Sequence, residues 1–416
     1  MPIVTLAPIL ADPADFSRQS GTEINPFIFL KGSLIYQVLV DSNTGGLAVF
    51  KATAAGVNSL ALDAANAPTI RSGGALVCYS DPASTIISIA YRETASFNLA
   101  IVNFDTATDT YGTPIVSTLN SGTAFAAGAG LFHRTSNGLY YIIYPVAGQL
   151  SYRTIDGTGT TSAAVAMTPA VSAGQGMFYT KFDESTGIAF FFYLVSIAGG
   201  HFNCITLSAA DVVGTLVNID TDGVEWVEAV VQSGTLSVAW INNDGSKVKT
   251  SAATVATAPT FAASTTLVTL TPPEVATYIS IAFIGTTLTV LWCLTDLSFD
   301  PGVDEIDYSQ FIASAWTAPG VFYDELTNPP AGGLAYPNQF VHTLQVLGTA
   351  GGGWFAFTAM ETGAACTGFI LVAPGTPPSP PDLVCPIAST AQIGVPFSTM
   401  LLASGGTPPY TFAILS

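Results

Sequence analysis

The chain has 416 residues, 49% of them hydrophobic and only 9% charged, with 39 Gly and 26 Pro. Apolar content that high excludes a disordered chain, which needs low hydrophobicity. A net charge of −18, from 28 acidic and 10 basic side chains, leaves no basic patch for phosphate neutralisation. Direct nucleic-acid binding and attraction to anionic lipid are thereby excluded. The five cysteines, Cys78, Cys204, Cys293, Cys366 and Cys385, are isolated, without a Cys-x-x-Cys pair. They read as small buried hydrophobes rather than a disulfide framework, with Cys366–Cys385 the one pairing left open.

In chain order, residues 1–25 form a leader that lacks the basic start of a signal peptide. Within it, 3–6 are expected to form a strand that joins the last unit and closes a ring, hiding two sheet edges. From residue 26 onward one pattern recurs. Gly32-Ser-Leu-Ile-Tyr, Gly138-Leu-Tyr-Tyr-Ile, Gly187-Ile-Ala-Phe-Phe, Gly234-Thr-Leu-Ser-Val-Ala-Trp, Gly285-Thr-Thr-Leu-Thr and Gly353-Trp-Phe-Ala-Phe each open on a glycine and run into an apolar strand. A glycine-free copy, Thr85-Ile-Ile-Ser-Ile-Ala-Tyr-Arg92, fills the long first interval. Seven copies at roughly 50-residue spacing are the signature of propeller blades.

Each unit offers three strands and a looser outer segment. They are expected near 27–30, 34–40 and 47–52; 75–79, 85–92 and 98–104; 130–134, 139–144 and 150–155; and 177–182, 188–195 and 202–207. The last three units place them near 227–231, 236–242 and 247–252; 278–283, 288–294 and 306–311; and 340–347, 354–359 and 368–372. Outer strands are expected at 113–118 and 260–268, and Asn243-Asp244-Gly245 marks a hairpin. One such sheet cannot cover its own apolar face, whereas sheets stacked round an axis bury a face on each neighbour. That explains 142–144 and 190–193, which are apolar on both sides. A membrane barrel would alternate lipid-facing and lumen-facing residues instead, and no stretch approaches the roughly 18 apolar residues of a spanning helix. The expected fold is therefore all-β: a seven-bladed β-propeller over 26–373, a Pro-rich linker over 374–382 and a further segment over 383–416.

That last segment carries Ile393-Gly-Val-Pro-Phe-Ser and Ala403-Ser-Gly-Gly-Thr-Pro-Pro-Tyr-Thr-Phe412. It resembles the opening of the putative bacterial Ig-like repeat family found in surface and phage proteins. The resemblance covers about 30 residues and implies an incomplete Ig-like β-sandwich, since two or three strands alone are marginal.

Two insertions, 298–307 and 328–333, lengthen the connection before the last unit, and loops on a rigid scaffold carry binding surfaces. The first concentrates Asp300, Asp304, Glu305 and Asp307, hard oxygen donors of the type calcium takes, and Asp220 with Asp222 repeats this on a smaller scale. These four are the candidate calcium ligands, against ordinary acidic turns. Asp220, Asp222, Asp300, Asp304 and Trp316 are the binding-loop candidates, the tryptophans as sugar-stacking platforms or as core. No catalytic residue is assigned. Sialidase-type Ser-x-Asp-x-Gly boxes, nucleophile elbows and phosphate loops are absent, and His133, His201 and His342 lack partners at zinc-ligand spacing. The expected function is a non-enzymatic structural or adhesion module of a phage virion (tail, fibre or decoration) or bacterial surface. The expected partners are assembly proteins, further copies of the chain and cell-surface glycans. The alternative is a propeller glycoside hydrolase built on paired carboxylates.

Overall fold

The computed structural model describes residues 7–8, 16–17, 28–32, 34–41, 46–52, 62–70, 76–81, 83–120, 130–146, 149–168, 178–195, 201–284, 286–296, 305–324, 340–349, 352–360, 366–373, 382–384 and 402–404. Apart from one three-residue 3-10 turn, Ala64–Asn66, the elements are strands, and all their pairings are antiparallel. Six blades follow one another. Blade 1 comprises Ile28–Lys31, Leu34–Asp41 and Leu47–Ala52, with Phe16–Ser17 alongside. Blade 2 comprises Val77–Tyr79, Ile86–Arg92, Asn98–Asp105 and Ile115–Asn120. Blade 3 has Gly130–Arg134, Leu139–Val146, Gln149–Ile155 and Val165–Ala166. Blade 4 has Phe178–Asp183, Ile188–Val195, His201–Leu207 and Val217–Asp220.

Blade 5 is built of Val224–Gln232, Thr235–Asn242, Lys247–Thr254 and Thr265–Thr269. Blade 6 is built of Glu274–Ile284, Thr287–Asp296, Glu305–Ile312 and Ala315–Trp316, with Gly320–Asp324 also on its third strand. The described propeller thus has six blades where seven were expected. A further sheet joins Phe340–Thr349, Gly352–Met360 and Cys366–Ala373 to Ala7–Pro8 from the N-terminus. Its strand Phe340–Thr349 runs beside the first strands of both blade 6 and blade 1. The N-terminal strand sits at Ala7–Pro8, paired with Ile370 and Phe369; the segment 3–6 expected in that place lies outside the described residues. Beyond this sheet, Asp382–Val384 pairs with Leu402–Ser404, and the Ig-like motif 405–412 lies outside the description.

The repeat glycine has a conformational cause. Gly32, Gly138, Gly187 and Gly234 all turn the chain from first to second strand at positive φ, between 61° and 75°, a region in which any Cβ is strained. Blade 2 makes the same connection through a wider loop, with Ser84 N donating to Asp81 O, and so dispenses with the glycine.

Among the described residues, each interface between successive blades from 1 to 6 is one apolar cluster. Successive residues of a middle strand belong to different clusters because side chains alternate across a sheet. Phe191 and Tyr193 pack towards blade 3 while Phe190 and Phe192 pack towards blade 5. Likewise Val238 and Trp240 face blade 4, and Ala239 and Ile241 face blade 6. Two buried faces, rather than one, account for strands with no polar side. Trp240 is fully buried and packs on Phe202 at 5.2 Å.

Polar ties join the blades where these clusters end. Lys51 pairs with Asp109, which also accepts from Tyr36 Oη at 3.0 Å. Arg134 pairs with Asp211, which accepts from Tyr141 Oη at 2.9 Å. The two arrangements are repeats of each other: a tyrosine third in its strand and a cation reach a left-handed aspartate of the next blade (φ 56° and 60°).

Candidate functional site

A pocket of about 510 Å³ lies between blades 5 and 6, inside the roughly 300–1,000 Å³ span of small-ligand sites. On the blade 5 side, the hairpin turn at Ser233 and Gly234 brings Gln232, Ser233 and Thr235 to the rim, above Ser237, Thr250 and Ser251. Blade 6 supplies Phe283, Leu288, Phe311 and Trp316, with Thr286 at its edge. None of the described lining residues is Asp, Glu, Lys, Arg or His.

The aromatic wall is held by a strained turn. Phe311 and Trp316 are paired across the hairpin of the third and fourth strands, with ring centroids 5.3 Å apart at 57°. The turn residues are Ala313 and Ser314, both left-handed at φ 51° and 67°. That conformation costs about 1–2 kcal/mol per non-glycine residue, and strain of this kind collects at functional sites. Phe311 stays 41% exposed although it is a large apolar group; Trp316 rests partly buried on the blade 5–6 core. Across from them, Thr250 Oγ1 donates to Val238 O at 2.9 Å and Ser251 Oγ donates to Ala262 O at 2.7 Å. Both hydroxyl protons are committed to the backbone, which leaves these oxygens as acceptors.

Of the residues singled out from sequence, Trp316 lines this pocket. It does so as a strand residue rather than from a loop, beside a phenylalanine that the linear pattern placed only as a strand end. Asp220 and Asp222 have a different use: both accept from Lys249 Nζ, at 2.8 and 2.7 Å. Lys249 and Asp220 are each 9% exposed and tie blade 5 to blade 4. Glu305 and Asp307 stand in the third strand of blade 6 rather than in a loop, with Asp307 opposite Trp292. Asp300 and Asp304 lie outside the described residues. Among the described residues no three His, Cys, Asp or Glu side chains gather to hold a metal.

Asp307 is raised to about 7, by burial first and then by Glu305, with a smaller push from Glu274. Burial also raises Glu228 to about 7, against the hydrogen bonds it accepts from the Ser280 side chain and Ile281 N; the latter is 2.9 Å long. That bond satisfies a backbone donor on the first strand of blade 6, which has a sheet partner on only one side. On the inner strands of other blades, Tyr79 Oη donates to Glu184 Oε1 at 3.1 Å and Lys31 Nζ to the carbonyls of Asp81 and Ser84. His133 stacks on Tyr140 at 4.4 Å. Glu228, Tyr79 and Lys31 tie different blades together, His133 and Asp307 find their neighbours within their own blade, and none of them lines the pocket. Among the described residues Cys78, Cys204 and Cys293 are buried and outside any disulfide, as expected of small hydrophobes.

No protein-family model matches the chain, and neither does any curated protein. Among solved structures, the BP39L lectin from Burkholderia pseudomallei superposes with a TM-score of 0.56 at 14% identity, covering 90% of this chain and 97% of the lectin. The polysaccharide lyase Uly1 reaches 0.43 at 7% identity, over 71% of this chain and 89% of the lyase. A prolyl endopeptidase reaches 0.45 at 9% identity; 88% of this chain spans only 53% of that enzyme. No helix among the described residues is long and apolar enough to cross a membrane. With its successive antiparallel sheets, its alternating inter-blade cores and the lectin's overlap across nearly its full length, this chain is a β-propeller.

Proposed function

We propose that the protein is a non-enzymatic adhesion module that holds a glycan in the pocket between blades 5 and 6. The observation that carries the reading is the pairing of an exposed aromatic wall, Phe311 and Trp316, with a facing wall of hydroxyls. A sugar ring has the same two-sided chemistry, C–H groups over one face and hydroxyls round its edge. Aromatic burial supplies the affinity and directional hydrogen bonds supply orientation. Hydrolysis of a glycoside needs two flanking carboxylates; the described residues of the lining offer only uncharged groups, which supports binding over turnover. The lectin that shares the fold is in keeping with this reading.

The test is a glycan array probed with the full chain and with Trp316→Ala. The proposal expects defined hits that the substitution abolishes while thermal unfolding and the β-rich circular dichroism spectrum are retained. Hits that survive both Trp316→Ala and Phe311→Ala would sink it. The same reading takes the sheet of Phe340–Thr349, Gly352–Met360 and Cys366–Ala373 as a seventh blade closed by Ala7–Pro8. It also places the propeller on the surface of a virion or cell, where several copies multiply a weak single site. The Ig-like segment then serves as an appendage of that assembly.

A further inference from the structure

We infer that the ligand of this pocket is an uncharged sugar rich in hydroxyl donors, and that acidic glycans are rejected; the inference rests on the glycan reading above. Three observations converge on it. The first is the absence of any ionisable group from the described residues of the lining. A carboxylate or sulfate entering between Trp316 and Thr250 would lose its water without gaining a counter-charge, which is the most costly form of burial.

The second is the direction of the hydrogen bonds already made. Because the protons of Thr250 and Ser251 are given to Val238 O and Ala262 O, their oxygens can only accept. Carboxylates and sulfates are acceptors too, so at these two positions they find no donor. Sugar hydroxyls donate, so the match is made.

The third is where the cations are. Lys51 and Arg134 are held by Asp109 and Asp211, and Lys249 by Asp220 and Asp222. Lys31 is spent on two backbone carbonyls, and Arg153 on Tyr144 Oη and Ser162 O. Each is held by these partners, and neither they nor Arg92, Lys181 or Lys247 line the pocket; the chain's net charge of −18 repels anions at longer range.

The experiment uses the full-length protein. An array carrying neutral, sialylated, sulfated and uronic-acid glycans is followed by titration calorimetry with matched pairs: methyl galactoside against methyl galacturonide, and methyl glucoside against methyl glucuronide. Within a pair only the C6 group differs. The array hits should be confined to neutral glycans. The neutral member of a bound pair should bind at least about tenfold tighter than its uronide, with little change between low and high salt. Placing a cation at the exposed rim, Thr286→Lys, should narrow that gap by raising uronide affinity. Equal or tighter uronide binding that is lost in Trp316→Ala would overturn this inference and leave the glycan reading intact. An array without hits, or neutral binding that survives both Trp316→Ala and Phe311→Ala, would overturn the glycan reading itself.

Discussion

Replacing Glu228 with glutamine removes one ionisation from the seam between blades 5 and 6 and keeps an oxygen acceptor for Ile281 N. Burial raises this carboxyl from 4.5 to about 7, so the folded state binds a proton over a range in which the unfolded chain has released it. Stability from this group is therefore complete below about pH 4.5 and is lost as pH rises through 7. At about 1.36 kcal/mol for each pH unit of difference, the whole effect is on the order of 3 kcal/mol. Urea unfolding followed by tryptophan fluorescence at pH 5, 6, 7 and 8 reads it out, since Trp226, 9% exposed, lies in the same strand. The wild type should lose stability steadily across that range. Glu228→Gln should lose much less, overtaking the wild type by pH 8. Asp307 titrates with the same sign in the same window, so the quantity to compare is the difference between the two proteins. Parallel profiles from pH 5 to 8 would refute the assignment of a neutral, enclosed Glu228.

Asp307→Asn should raise stability at pH 8 and leave it nearly unchanged at pH 5, measured by the same titration, because it removes a carboxylate that burial and Glu305 hold protonated. Asp220→Ala leaves the buried Lys249 ammonium with Asp222 as its remaining carboxylate and should destabilise by about 1–3 kcal/mol, seen as a lower urea midpoint. Lys249→Met combined with Asp220→Leu should recover much of that loss. Trp240→Ala empties a fully enclosed site against Phe202 and should cost about 3–5 kcal/mol, again by urea midpoint. Ser314→Gly relieves a left-handed serine and should stabilise by about 1 kcal/mol, with glycan binding retained. Burial pushes the Cys204 thiol up, so mass spectrometry should find Cys204 unlabelled by iodoacetamide in the native protein at pH 8 and labelled in urea.

The strands were legible because their signals are local. The predicted second strand after Gly234 is observed as Thr235–Asn242, and the segments predicted at 130–134 and 188–195 appear with those bounds. A strand's period and a left-handed turn are both written within a few neighbouring residues. The same reasoning missed the hairpin that presents Trp316, since Ala313 and Ser314 occupy positions where glycine or asparagine would have announced the turn. It also ran the inserted loop 298–307 into the strand it placed at 306–311, whereas Glu305 and Asp307 both stand in the third strand of blade 6, opposite Leu294 and Trp292.

The amino-acid sequence by itself determined the all-β class, the order of strands within each blade and the turns that demand a left-handed residue. The tertiary structure alone decided what each polar residue is for. In sequence, Asp220-Thr-Asp222 has the look of a cation-binding turn, but the next blade lays Lys249 against both carboxylates. Phe311, Trp316, Thr250 and Ser251 have no relation in the linear pattern, yet they face one another across a seam. Residues far apart in the chain meet only when two sheets pack, and packing is set by the summed apolar faces of both blades rather than by any local stretch of either.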